Sequence, residues 1–106
     1  MVTISNFKKI ALNFPESVEE PHFELTSFRF KKKIFATLNV KKNLVCIMLR
    51  PNDQSTFCTF NNKIIYPVPN KWGSKGATYF ELTKLPKSII EDALKLAYQK
   101  IATKSK

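Results

Sequence analysis

Histidine is almost missing from this chain of 106 residues, since His22 is the only one. A metal or catalytic histidine needs partners, and no HxxxH, CxxC or HExxH spacing occurs, so metal-centred and histidine-based chemistry have no support. Cysteine is scarce as well. A small secreted scaffold normally carries more than the pair Cys46 and Cys58, so both are expected to be reduced thiols in a cytoplasmic protein. Cys46 lies in the apolar stretch Leu-Val-Cys-Ile-Met-Leu and reads as a small buried hydrophobe. Cys58, between Phe57 and Thr59, has no obvious base beside it to make it a nucleophile. Long apolar runs are absent: the longest, Leu44 to Leu49, is far below the roughly 20 residues that cross a membrane. The opening MVTISNFKKIALNF carries its lysines inside the apolar pattern, which predicts an amphipathic helix and not a signal peptide. No cofactor, metal or enzymatic activity is expected.

Acidic residues are also few. Eight Asp plus Glu stand against eighteen Lys plus Arg, giving a formal charge of +10 and a pI near 9.8. Such a field draws a protein toward nucleic acid, an anionic membrane or an acidic partner. Only Arg29 and Arg50 are arginine, so sixteen of the eighteen cations are lysine. Lysine is a hydrated point charge suited to phosphate, whereas arginine is the usual reader of guanine edges.

The length fits one domain, residues 1–106, with no room for a second core. Ile4, Phe7, Ile10, Ala11 and Phe14 recur at helical spacing after a cap at Thr3 or Ser5, and Pro15 stops the run. An acidic link, Glu16 to Glu20, closes on Pro21. Strands are predicted at about Ser27–Phe30, Ile34–Asn39 and Leu44–Leu49, with joins short enough to demand an antiparallel meander. Pro51 opens a short helix with Phe57 and Phe60 as its apolar side. Ile64 to Val68 and Thr78 to Leu82 supply two more strands. A last helix runs from about Pro86 to Ala102, burying Ile90, Ala93, Leu94, Ala97 and Ile101. The sum is α+β: an antiparallel sheet of about five strands with the N- and C-terminal helices packed on one face.

That order of elements resembles the MmcQ/YjbR family. The resemblance rests on ALNFPESVEE, then PHF, TSFRF and KIFATL, followed by YPVPNKWG and GATYFEL, and it covers nearly the whole chain. It implies a frataxin/CyaY-like fold and a role in DNA binding, with β-hairpins serving as a pair of wings. Three departures stand out. Many members have glycine where this chain has Phe23 or Glu24, and glycine in the first hairpin turn where it has Lys32. A large aromatic often follows the second glycine of the tryptophan loop, where this chain has Ala77 after Gly76. Frataxins use an acidic helix to handle iron, but here Lys8 and Lys9 occupy the first helix and no acid precedes Glu16, which argues against iron transfer.

The expected binding residues follow from the meander. Lys31, Lys32 and Lys33 close one end of the second predicted strand and Lys41-Lys42 the other, so the two groups cannot form one patch. Arg50 returns to the triple-lysine end. Lys71, Trp72 and Lys75 form a separate loop with two glycines, in which Trp72 either stacks on a base or caps the core. That loop lacks the Gly-Lys-Ser/Thr ending of a phosphate-binding loop. Arg29 alternates with Phe28 and Phe30 and is expected on the open sheet face with Ser27 and Thr37. The leading expectation is DNA bound through phosphate contacts. The alternatives are a protein-interaction module that docks an acidic partner or self-associates on its open sheet face, and a small-molecule pocket near His22 and Trp72.

Overall fold

The computed structural model describes residues 2–104. Helix α1 (Ile4–Leu12) begins at Thr3, whose Oγ1 accepts the amide N–H of Asn6 at 3.1 Å, satisfying a donor that helix starts leave open. Strands β1 (Ser17–His22), β2 (Leu25–Phe30), β3 (Lys33–Asn39) and β4 (Leu44–Met48) follow as a meander. Helix α2 (Pro51–Cys58), strand β5 (Ile65–Pro67), the short helix α3 (Lys71–Ser74), strand β6 (Ala77–Glu81) and helix α4 (Lys87–Lys104) complete the order. The six strands run β1-β2-β3-β4-β6-β5, every neighbour antiparallel.

The sheet has one strand more than the pattern predicts, because the acidic link is itself β1. Ser17 pairs with Phe30 and His22 with Leu25. Glutamate and proline are poor strand residues, and Glu19, Glu20 and Pro21 hide the strand from its sequence. They suit its position, because charges and proline blunt an exposed edge.

A bulge sets which side chains face where. Phe28 pairs with Ala36 but Arg29 pairs with Ile34, leaving Phe35 as the extra residue. Phe35 turns to the helix side, where its ring meets Phe14 and Tyr98 edge-on. Alternation from the buried Ala36 would carry Ile34 to the helix side and Phe35 to the open face. The bulge instead delivers Ile34 to the opposite, open face beside Arg29, the kind of re-aiming that bulges perform.

The covered face is a single core. Phe7, Phe28, Phe80, Leu38, Ile47, Ile90 and Leu94 are fully buried in it, each contributing about 1.5–3 kcal/mol by removal from water. All five apolar positions read for α4 are buried. Tyr98 stacks on Phe14 at 4.8 Å between ring centroids and donates its hydroxyl to the Pro15 carbonyl at 2.7 Å, tying α4 to the end of α1. In α2, Phe57 packs against Phe80, whereas Phe60 lies past the helix end and is exposed.

The chain has two glycines, and both hold the tryptophan loop against the sheet. A Cβ on Gly73 would lie 1.8 Å from the Val68 carbonyl oxygen, and one on Gly76 would lie 1.8 Å from that of Leu49. Gly76 also has φ +113°. The buried Gln54 of α2 adds a clamp, donating its side-chain amide to the carbonyls of Gly73 (2.8 Å) and Ala77 (3.0 Å). Replacing Gly76 by Ala combines a left-handed backbone with a backbone collision, so Gly76→Ala should lose about 2–4 kcal/mol in urea unfolding. A loss under about 1 kcal/mol would show that the loop moves off the sheet at little cost.

Candidate nucleic-acid interface

One end of the sheet collects the predicted cations. Phe30 lies opposite both Ser17 and Lys33, and Met48 lies opposite Ala77. The β2–β3 turn, the β4–α2 junction and the loop entering β6 therefore share an end, bringing Lys31, Lys32, Lys33 and Arg50 together with Lys71, Trp72 and Lys75. Lys41 and Lys42 are at the opposite end, as the meander requires. Lys100 adds a cation that the sequence did not point to: its Nζ lies 3.4 Å from the carbonyl oxygens of Met48 and Leu49. Among the described residues the salt bridges involve Lys8, Lys84 and Lys87. None is made by Lys31, Lys32, Lys33, Arg50, Lys71 or Lys75. The carboxylates near this end are Glu16, which is exposed, and Asp53, which is half-buried.

The cations do not all point one way. Lys33 pairs with Phe30 and so starts on the helix side, and Lys31 folds its Nζ over the Phe30 ring at 5.4 Å. Arg29 is on the open side, where its Nε donates to Ser27 Oγ at 2.9 Å and Ser27 Oγ in turn donates to the Glu20 carbonyl. Lys75 lies over the Trp72 ring at 5.2 Å. The basic end is thus a rim that wraps from the helix side to the open face.

The hairpin tip is strained. Lys31 and Lys32 form a two-residue loop with φ +49° and +72°, the double positive φ of a type I′ turn that Asn-Gly normally fills. A left-handed residue with a Cβ costs roughly 1–2 kcal/mol. Phe23, in the β1–β2 turn, has φ +60° and is 95% exposed.

The open face carries a trough of about 560 Å³, within the range of ligand pockets. Its floor is Leu25, Ile34, Met48 and Ala77, its walls Tyr79 and Val68, and its ends His22 and Trp72. Trp72 is 57% exposed, so it rims this trough and does not cap the core. Asn70 accepts the Trp72 amide N–H on its side-chain oxygen at 2.8 Å, which fixes the start of α3. The signal for the trough was present in β4: Leu-Val-Cys-Ile-Met is apolar on both faces, a pattern of strands that are covered twice. Two other grooves of similar size lie against α4, one beside α1 and one beside α2. Neither contains an aromatic side chain as exposed as Trp72.

Cys46 lines the trough instead of the helix-side core, half-buried, and burial pushes its thiol up to about 11. Cys58 is shifted upward by burial as well. On the open face Tyr66 donates to Glu81 at 3.2 Å, and Lys84 reaches the same carboxylate at 2.9 Å. The lysine hydrogen bond holds Glu81 below its ordinary range, while burial and that carboxylate raise Tyr66. Among the described residues no group of three His, Cys, Asp or Glu side chains could hold a metal ion. No helix among them is long and apolar enough to cross a membrane.

The architecture is shared with a solved protein. The chain superposes over its full length on 83% of DR2400 from Deinococcus radiodurans, which carries the family-model domain DUF419, with a TM-score of 0.84 and 18% identity. That likeness establishes the fold. No family model matches the sequence, and no curated protein matches it.

Two expectations follow. Lys31→Asn combined with Lys32→Gly relieves the turn, so the double variant should unfold about 1–2 kcal/mol harder in urea; equal or lower stability would remove the strain argument. For the thiols, a pKa near 11 in place of 9 leaves about one hundredth of the thiolate at Cys46. Mass-mapped alkylation at pH 8 should therefore label Cys58 first and Cys46 only slowly. Because the Cys46 value is raised, its contribution to stability is present below pH 9 and falls as pH climbs toward 11. Rapid labelling of Cys46 in the folded protein would contradict this placement.

Proposed function

We propose that the protein binds nucleic acid, DNA in particular, through phosphate contacts at the basic end of the sheet, and that it is of the MmcQ/YjbR type. The observation that carries this reading is the strained lysine tip. Two consecutive lysines occupy left-handed positions at the end of a hairpin, where stability alone favours Asn-Gly. Backbone strain that persists is a pointer to function. Arg50, Lys71, Lys75 and Arg29 extend the tip into a rim without salt-bridge partners among the described residues. Lysine in such numbers suits phosphate backbone more than base edges. The family reading gains support from the turns: Phe23 and Lys32 stand where many members have glycine, and both have positive φ. The free thiols suit a reducing, cytoplasmic setting. No enzymatic activity is assigned.

A second reading has one observation in its favour. The open face has an apolar floor and an exposed Val18 at its β1 edge, which suits a protein partner or self-association.

Fluorescence anisotropy of labelled duplex and single-stranded DNA across a salt series tests the leading reading. Log affinity should fall against log salt with a slope of about −3 to −5, the release expected from four or five phosphates. Lys31→Ala, Lys32→Ala and Lys33→Ala together should make that slope shallower by about 2. The Lys31→Asn, Lys32→Gly variant should bind more weakly although it is the more stable protein. An unchanged slope in both variants removes the hairpin from the interface. Absence of binding to both duplex and single-stranded DNA at low salt defeats the reading.

A further inference from the structure

Resting on the nucleic-acid reading, we propose that the trough on the open sheet face is a site for one unpaired nucleobase, so that the preferred ligand is single-stranded and not duplex.

Three observations carry it. The first is the rim. Trp72 is the only tryptophan and is 57% exposed on a loop held rigidly by two sterically required glycines and the Gln54 clamp. A rigid, exposed indole is a stacking platform, and Lys75, whose Nζ lies over one face of the ring at 5.2 Å and which lines the neighbouring groove and not the trough, adds positive charge beside it.

The second is the set of polar groups inside. Among the hydrogen bonds of the described residues, none is made by the hydroxyls of Thr37 and Tyr79 or by the ring of His22. Asn70 spends its side-chain oxygen on the Trp72 amide, and its NH2 group makes no such bond. No buried side-chain polar atom among the described residues lacks a partner, so the hydroxyls of Thr37 and Tyr79 are accessible, and both residues line the trough. Two hydroxyls, an amide and an imidazole over an apolar floor match a flat heterocycle with a hydrogen-bonding edge. An aliphatic ligand would leave them unsatisfied.

The third is size and charge. About 560 Å³ accepts a base with its sugar but neither a helix nor a duplex. Arg29 of β2, paired with the floor residue Ile34 of β3, keeps its terminal nitrogens uncommitted on the same face. A nucleotide seated against Trp72 therefore has Lys75 and Lys71 beside the indole and Arg29 next to the floor residue Ile34.

Intrinsic fluorescence tests this directly, because Trp72 alone reports. Titrating the folded protein with a thymidine decamer should quench Trp72 saturably, with affinity at least tenfold above that for a decamer duplex at equal salt. An abasic decamer, with the same phosphates and no bases, should bind weakly and leave the emission unchanged. By anisotropy, Trp72→Ala should weaken the thymidine decamer about tenfold, the scale of one stacked base. Its salt slope should not change, and Trp72→Phe should restore most of the affinity. Equal binding of thymidine, abasic and duplex decamers without quenching would overturn the base site while leaving the phosphate reading intact. No binding of any decamer would defeat both. Emission that depends on protein concentration without nucleic acid, together with a dimer in sedimentation, would assign the trough to a second copy and overturn the proposal.

Discussion

The candidate site depends on one contact: the backbone of residues 73–76 pressed against the ends of β4 and β5. Gly73 touches the Val68 carbonyl and Gly76 the Leu49 carbonyl so closely that no side chain fits at either position. The Leu49 amide donates to the Gly76 carbonyl at 3.2 Å and the Val68 amide to that of Ala77 at 3.1 Å, so the contact is also hydrogen-bonded. Gln54 closes it from the helix side. Without this contact Trp72 would swing free, the trough would lose its end wall, and Lys71 and Lys75 would leave the lysine hairpin and Arg50. A chain that uses glycine only here concentrates its conformational freedom where two backbones must meet.

The second constraint is the bulge at Phe35. Its effect runs in two directions from one extra residue. Toward the helices it adds an aromatic ring to the Phe14, Phe30 and Tyr98 cluster that joins α1, the sheet and α4. Toward the open face it supplies Ile34 as trough floor and aligns it with Arg29. Core and site are coupled through this residue, because the register that fills one also shapes the other.

Much of the framework was legible. The stripes of α1 and α4, the meander from β2 to β4 and the open-face position of Arg29 and Thr37 all followed from periodicity, because one face of each element is buried and leaves a trace. The end-to-end separation of Lys31–Lys33 from Lys41-Lys42 followed from join lengths alone. What could not be read depends on neighbours distant in sequence. Strand β1 was hidden by Glu19, Glu20 and Pro21, residues chosen for an edge and not for a strand. The bulge leaves no mark in the string KIFATLN. The trough needs His22, Ile34, Met48, Trp72 and Tyr79 from five segments; a pocket near His22 and Trp72 was one of the alternatives read, and the local sign of its floor was the two-faced apolarity of β4. Cys46 belonged to that sign and was misread with it, as a core residue.

Charge placement then limits how an anionic chain can lie on this surface. Glu16, Glu19, Glu20 and Glu24 all fall on β1 or at its ends, along one edge of the sheet. The cations fall on the perpendicular end, from Lys32 at the hairpin tip to Lys75 beside β6. Phosphates would be repelled along the β1 edge and attracted along that end, so a strand bound as proposed would run across the strand termini from the hairpin to the tryptophan loop. Such a path crosses the mouth of the trough at Trp72. Long-range electrostatics and local stacking therefore favour the same line on the surface, and they meet where Lys75 lies over the Trp72 ring. The one edge from which an approaching strand is turned away is also the edge that β1 must protect from pairing with another sheet. Glu20 on that strand serves both ends, while Glu19 is held in an ion pair with Lys8 at 3.1 Å.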